Sequence, residues 1–72
     1  MKRKHLNYSN VDFIWSVAQY VHSDRDRKML VRFYVDDATY DDLCNEFHLS
    51  LSQVKRIVLN QGMVVFKHMG QT

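Results

Sequence analysis

The stretch TYDDLCNEFHLSLSQVKRIVLN, residues 39 to 60, decides the fold. Thr39 is followed three residues later by Asp42, and Ser50 by Gln53. A hydroxyl just before a helix accepts from the open amides of the first turn, while the acid or amide three residues on reaches back to its N–H. Two helix starts therefore lie close together, one for a short helix from Tyr40 to Phe47 and one for a helix opening at Leu51. Leu43, Cys44 and Phe47 recur at helical spacing and can pack against Leu49, Val54 and Ile57, which fixes the angle between the two. A short supporting helix, a tight turn and a second helix with an open start make a helix-turn-helix, an arrangement that seats a helix in the major groove of DNA.

The second helix of the pair reads as running from Leu51 to about Lys67, with Val54, Ile57, Gln61 and Val65 along its inward side. Gly62 is its weak point, since glycine inside a helix costs roughly 1 kcal/mol relative to alanine. Residues 47 to 72 carry Lys55, Arg56 and Lys67 and no acid, whereas Asp36, Asp37, Asp41, Asp42 and Glu46 crowd the segment before them. The basic part is thus the candidate surface for a polyanion. Gln53 and Asn60 carry the donor and acceptor pair that matches adenine. Arg56 and Lys55 carry donors that match guanine, and Ser50 and Ser52 stand at the helix start, where open amides attract a phosphate. The candidate DNA-contacting residues are therefore Ser50, Ser52, Gln53, Lys55, Arg56 and Asn60.

Toward the N-terminus, Ser9 with Asp12 opens a helix over about residues 10–22. Val11, Ile14, Ala18 and Val21 form its apolar stripe, widened by Phe13, Val17 and Tyr20, with Trp15 on another side. Ser23 and Asp24 open the next helix, over about residues 24–35, with Met29, Leu30, Phe33 and Tyr34 inward. Its Arg25, Arg27, Lys28 and Arg32 read as a solvated basic face. Residues 1–8, with Lys2, Arg3, Lys4 and His5, read as a flexible basic tail, residues 9–69 as one domain and residues 70–72 as a C-terminal tail. The expected fold is all-α, a four-helix domain in which a three-helix helix-turn-helix core carries an extra N-terminal helix packed on it.

Length and composition agree with that expectation. A chain of 72 residues holds one small core with little room for a catalytic cleft. Its 46% hydrophobic and 25% charged residues are those of an ordinary globular protein. The absence of proline, with Gly62 and Gly70 the only glycines, argues against a fold built on many tight turns. The lone Cys44 cannot form an internal disulfide, and no apolar run is long enough for a signal peptide or membrane span, so the expected location is cytoplasmic, associated with the nucleoid. His5, His22, His48 and His68 show no ligand spacing with Cys44, and no nucleophile is paired with a base. No metal, cofactor or enzymatic activity is expected.

Residues 26 to 57, DRKMLVRFYVDDATYDDLCNEFHLSLSQVKRI, resemble region 4 of bacterial sigma factors. The family pattern is a helix R-x-x-x-L-x-x-x-Y, a loop, a supporting helix [ST]-[YL]-x-[ED]-[IL]-A and a recognition helix S-x-x-x-[VI]-[KR]. Here these become Arg25 with Met29, Leu30, Phe33 and Tyr34, then Thr39-Tyr40-Asp41-Asp42-Leu43-Cys44, then Ser50 with Val54, Lys55 and Arg56. The resemblance covers about residues 24 to 68. It implies a small stand-alone regulator of transcription, bacterial or from a phage or mobile element, that binds double-stranded DNA with RNA polymerase as partner. A complete sigma factor is not expected, since no promoter-melting region 2 is seen.

Three departures from the pattern carry expectations of their own. Cys44 stands where alanine is usual, so a buried small residue is expected there. His48 stands where glycine is usual, and histidine is among the few residues tolerated at positive φ, so the turn is expected to survive. Val58 and Leu59 stand where polar groups are usual, and two apolar residues beside a DNA-facing surface need a cover. Two covers are open: the first helix folding back so that residues 10–22 lie over residues 58–66, or a homodimer through Val58, Leu59 and the N-terminal helix. A second functional reading also stays open, a protein-interaction module that keeps the helices without DNA contact. The acidic third helix and the net charge of only +2 speak for it.

Overall fold

The structure is a computed structural model and describes residues 9–70. Four helices follow one another: α1 over Asn10–Tyr20, α2 over Asp24–Tyr34, α3 over Tyr40–Phe47 and α4 over Leu51–His68. The described residues contain no strand, and the architecture is the all-α, four-helix one that the sequence implies. The expected tail at residues 1–8 lies outside the described residues, as do residues 71–72 of the one expected at 70–72.

Every helix opens on a hydroxyl. Ser9, Ser23, Thr39 and Ser50 accept from the amides of Asp12, Asp26, Asp42 and Gln53 at 3.4, 3.3, 3.1 and 3.3 Å. The reciprocal bond closes only in α3 and α4, where the Thr39 N–H donates to Asp42 and the Ser50 N–H to Gln53, each at 3.0 Å. Losing such a cap typically costs about 1 kcal/mol, so these starts define the helix-turn-helix boundaries more firmly than propensity does. His48 ends α3 in the left-handed region, φ 59° and ψ 45°, as its place in the turn requires. The Asp42 carboxyl lies below its ordinary range, first because the Thr39 backbone N–H donates to it and then because of the Thr39 hydroxyl. A lowered folded-state pKa contributes stability that is fully present above the unfolded value of about 4 and is lost as pH falls from there through the lower folded value. Asp42→Asn is therefore expected to lower the urea midpoint at pH 7, with the gap to the parent chain closing below about pH 4; a gap that persists into acid would contradict the assignment.

Two apolar clusters share α2 and α4. One joins α1 to them through Phe13, Val17, Val21, Leu30, Val65 and Phe66, and the other joins α3 to them through Met29, Phe33, Ala38, Leu43, Val54 and Val58. Tyr34 packs against both. Its ring lies 5.4 Å from Phe13, 4.9 Å from Phe33 and 5.1 Å from Phe66, and its hydroxyl donates to the Val58 carbonyl at 3.4 Å.

Several sequence expectations are corrected by this packing. The inward stripe of α1 is Phe13, Ser16, Val17 and Val21, whereas Val11, Ile14 and Ala18 face outward. Both stripes are apolar at helical spacing, so the period does not choose between them; the one that meets Leu30, Val65 and Phe66 takes the core. α1 also stops at Tyr20 rather than 22, because Ser23 must be extended to cap α2. In α4 the buried line is Val54, Val58, Gly62, Val65 and Phe66, and Ile57 and Gln61 are only half-buried. Val58 thus lies fully inside the second cluster and needs neither α1 nor a second copy to cover it. α1 does fold back on α4, but onto Val65 and Phe66, leaving Leu59, Met63 and Val64 exposed. Cys44 is half-buried rather than buried.

The basic face of α2 is not simply solvated. Arg27 donates through Nε to the Val21 carbonyl and through Nη2 to the Ala18 carbonyl at 3.2 Å, with Nη1 on Asp24 at 3.2 Å. It thereby satisfies open carbonyls at the end of α1, a helix that carries no basic residue in its own last turn. Arg32 reaches Glu46 of α3 at 3.0 Å and Asp36 at 3.5 Å.

Candidate nucleic-acid interface

Successive residues of a helix are turned by about 100°, so positions four apart drift only about 40° around the axis. Ser52, Arg56 and Asn60 therefore form one line on the solvent side of α4, spanning about 12 Å of its length. All three are exposed. Leu59 and Met63, 52% and 68% exposed, border that line, and Lys67 continues it. An exposed line of mixed hydroxyl, guanidinium and amide groups is chemically suited to the edges of base pairs, whose major groove is about 12 Å wide.

The other three candidates are placed differently. Ser50 and Gln53 are committed to the cap of α4: the Gln53 carbonyl oxygen accepts from the Ser50 N–H at 3.0 Å and from the Ser50 hydroxyl at 3.1 Å. A two-point contact of Gln53 with adenine needs that same oxygen, so it would have to break the cap. The side-chain amino group of Gln53 stays available as a donor. Lys55 is turned toward α3, its Nζ standing 5.7 Å from the centre of the Tyr40 ring. Tyr40 in turn stacks on Phe33 at 4.9 Å, so the lysine rests on an aromatic shelf anchored in the core. Tyr40 is the residue of this region that the sequence reading passed over; an aromatic side chain at the first position of the supporting helix was its signal.

Two acids of the middle segment are held at α2. Glu46 and Asp36 both meet the Arg32 guanidinium, which the Glu46 hydrogen bond, foremost, holds more firmly charged than usual. Asp42 also feels Arg32. Two of the five acids of residues 36–46 are thus paired with α2, Asp42 is held by its own cap, and none lies on α4. Among the described residues no group of His, Cys, Asp and Glu could hold a metal ion. No helix among them is long and apolar enough to cross a membrane. Comparison with protein-family models, with curated proteins and with solved structures finds no match to this chain.

Proposed function

We propose that the protein binds double-stranded DNA by inserting the helix that starts at Leu51 into the major groove, and that it regulates transcription. The observation that carries this reading is the line Ser52, Arg56 and Asn60 on the exposed side of α4, in a segment with no acid from residue 47 onward. Arg56 and Asn60 are the base-reading groups, Ser52 and Lys55 the phosphate contacts, and Ser50 and Gln53 hold the helix start. The resemblance of residues 26–57 to sigma factor region 4 supports it and makes RNA polymerase the protein partner to test. The alternative, a protein-interaction module with the same helices, is favoured by the net charge of only +2.

Titration of the chain against random-sequence duplex DNA at several salt concentrations tests the reading. The parent chain is expected to bind with a steep salt dependence, and each phosphate contact removed lowers the log–log slope by about 0.9. Lys55→Ala with Arg56→Ala should weaken binding and flatten that slope by about 1, the share of the Lys55 phosphate contact. Binding with an unchanged slope in the double variant would sink the assignment of α4, and no salt-dependent binding in the parent would leave the interaction module.

A further inference from the structure

α1 carries two apolar stripes, and only one of them is used inside the chain. The second, Val11, Ile14, Trp15 and Ala18, has the three-and-four spacing of a helix face packed on another protein surface. It faces solvent, with Val11 74%, Trp15 62% and Ile14 44% exposed. Beside it runs a groove of about 560 Å³ between α1 and α3, with the outer side of α2 as its floor. Ile14 and Ala18 of α1, Val31 of α2 and Phe47 of α3 line it, with the charged Lys28, Arg32 and Glu46 among them. A ridge and a groove thus lie side by side on one face, and Ile14 and Ala18 belong to both.

We propose that this face docks a second copy of the chain about a twofold axis, the Val11 and Trp15 ridge of each copy seated in the groove of the other. A twofold pair repeats each contact, so a surface holding both ridge and groove is complementary to itself. Charge fits the same arrangement. Arg25, Arg27 and Arg32 of α2 all pair within the chain, whereas Lys28 makes no ion pair among the described residues. Asp12, beside Val11 and the only charged residue of α1, makes none there either. Seating the ridge carries Asp12 of one copy toward Lys28 of the other, twice over, and α1 presents no cation that would repel the second copy. Two indoles, each able to bury on the order of 150 Å², together with both Val11, both Ile14 and the groove walls, bring the buried surface to roughly the 1,000 Å² a specific interface needs. The groove lies on the side of α2 opposite Met29, Leu30 and Phe33, which face the core, so pairing leaves the exposed line of α4 uncovered. The pairing does not depend on the nucleic-acid reading.

Trp15 is the only tryptophan of the chain, so its fluorescence reports directly on this face. Emission and sedimentation equilibrium are followed together from about 1 µM to about 500 µM protein, the range of a modest interface. The emission maximum is expected to move to the blue with the same midpoint as the change from monomer to dimer mass. Trp15→Ala should weaken dimerisation at least tenfold. Asp12→Lys and Lys28→Glu should each weaken it roughly three- to tenfold, while the two together return it to within about twofold of the parent. The charge pair lies outside the core, so it tests the interface even if Trp15→Ala impairs folding. A monomer with unshifted emission across the range would overturn the proposal and leave the groove to a different partner. A dimer indifferent to the Trp15 change, or a charge swap that restores nothing, would overturn it as well.

Discussion

Phe13→Ala should leave the chain largely unfolded at 25 °C, while Ile14→Ala one residue further on should cost less than about 1 kcal/mol. Phe13 is fully buried, with ring centres 5.4 Å from Tyr34 and 5.2 Å from Phe66. Removing a buried phenylalanine typically costs about 3–5 kcal/mol, through lost transfer energy and the cavity left behind. A single core in a chain of this length rarely supplies more than roughly 3–5 kcal/mol in all. The substitution therefore consumes most of the stability rather than trimming it, and makes α1 an integral wall of the core. Urea titration followed by circular dichroism separates the two variants. A larger loss for Ile14→Ala than for Phe13→Ala would mean that α1 sits on its other stripe.

The second large effect is expected at Gly62, and its sign is the opposite of what helix propensity suggests. Propensity alone predicts that Gly62→Ala stabilises by up to about 1 kcal/mol. A Cβ placed there would stand 2.7 Å from the Tyr34 hydroxyl and 3.1 Å from two of its ring carbons. The hydroxyl is the far end of the side chain, but the ring behind it is wedged among Phe13, Phe33 and Phe66 and has little freedom to yield. Overpacking of this kind typically costs about 1–3 kcal/mol, which outweighs the propensity gain. Gly62→Ala should thus lower stability by about 1 kcal/mol or more. In a Tyr34→Phe background, where the closest atom is gone, the loss should shrink, giving a coupling of at least about 0.5 kcal/mol in the four-member cycle. Strict additivity, or a stabilised Gly62→Ala, would show that the ring moves aside freely.

These two sites also mark where the amino-acid sequence stopped being legible. Helix number, helix starts and the left-handed turn at His48 were readable because each rests on local chemistry: a hydroxyl with its partner three residues on, or a residue type that tolerates positive φ. The facing of α1 was not readable, since Phe13-Val17-Val21 and Val11-Ile14-Ala18 fit the same helical period and only the neighbouring helices choose between them. Val58 was misplaced for a related reason. It looks outward when α4 is phased on Ile57 and Gln61, and turns inward once Gly62 lets Tyr34 approach. At the candidate interface, residue type and spacing named Ser52, Arg56 and Asn60 alongside Ser50, Gln53 and Lys55 without separating the two sets. The cap that occupies the Gln53 carbonyl and the ring that seats Lys55 emerge only when α3 and α4 are brought together.

The connection between α3 and α4 bears on the docking proposed for α4. Three residues, His48, Leu49 and Ser50, join the helices; the Leu49 amide donates to the Cys44 carbonyl at 3.2 Å, and a closed capping box stands at each helix start. Under the proposed DNA-binding reading, nothing in that corner has to be ordered when α4 enters the groove. Docking a segment that must first be organised loses free energy for every side chain and backbone angle it freezes. Here that loss falls on folding instead, so a handful of contacts from α4 can act at nearly their full strength, and encounter needs orientation of a rigid corner rather than its assembly.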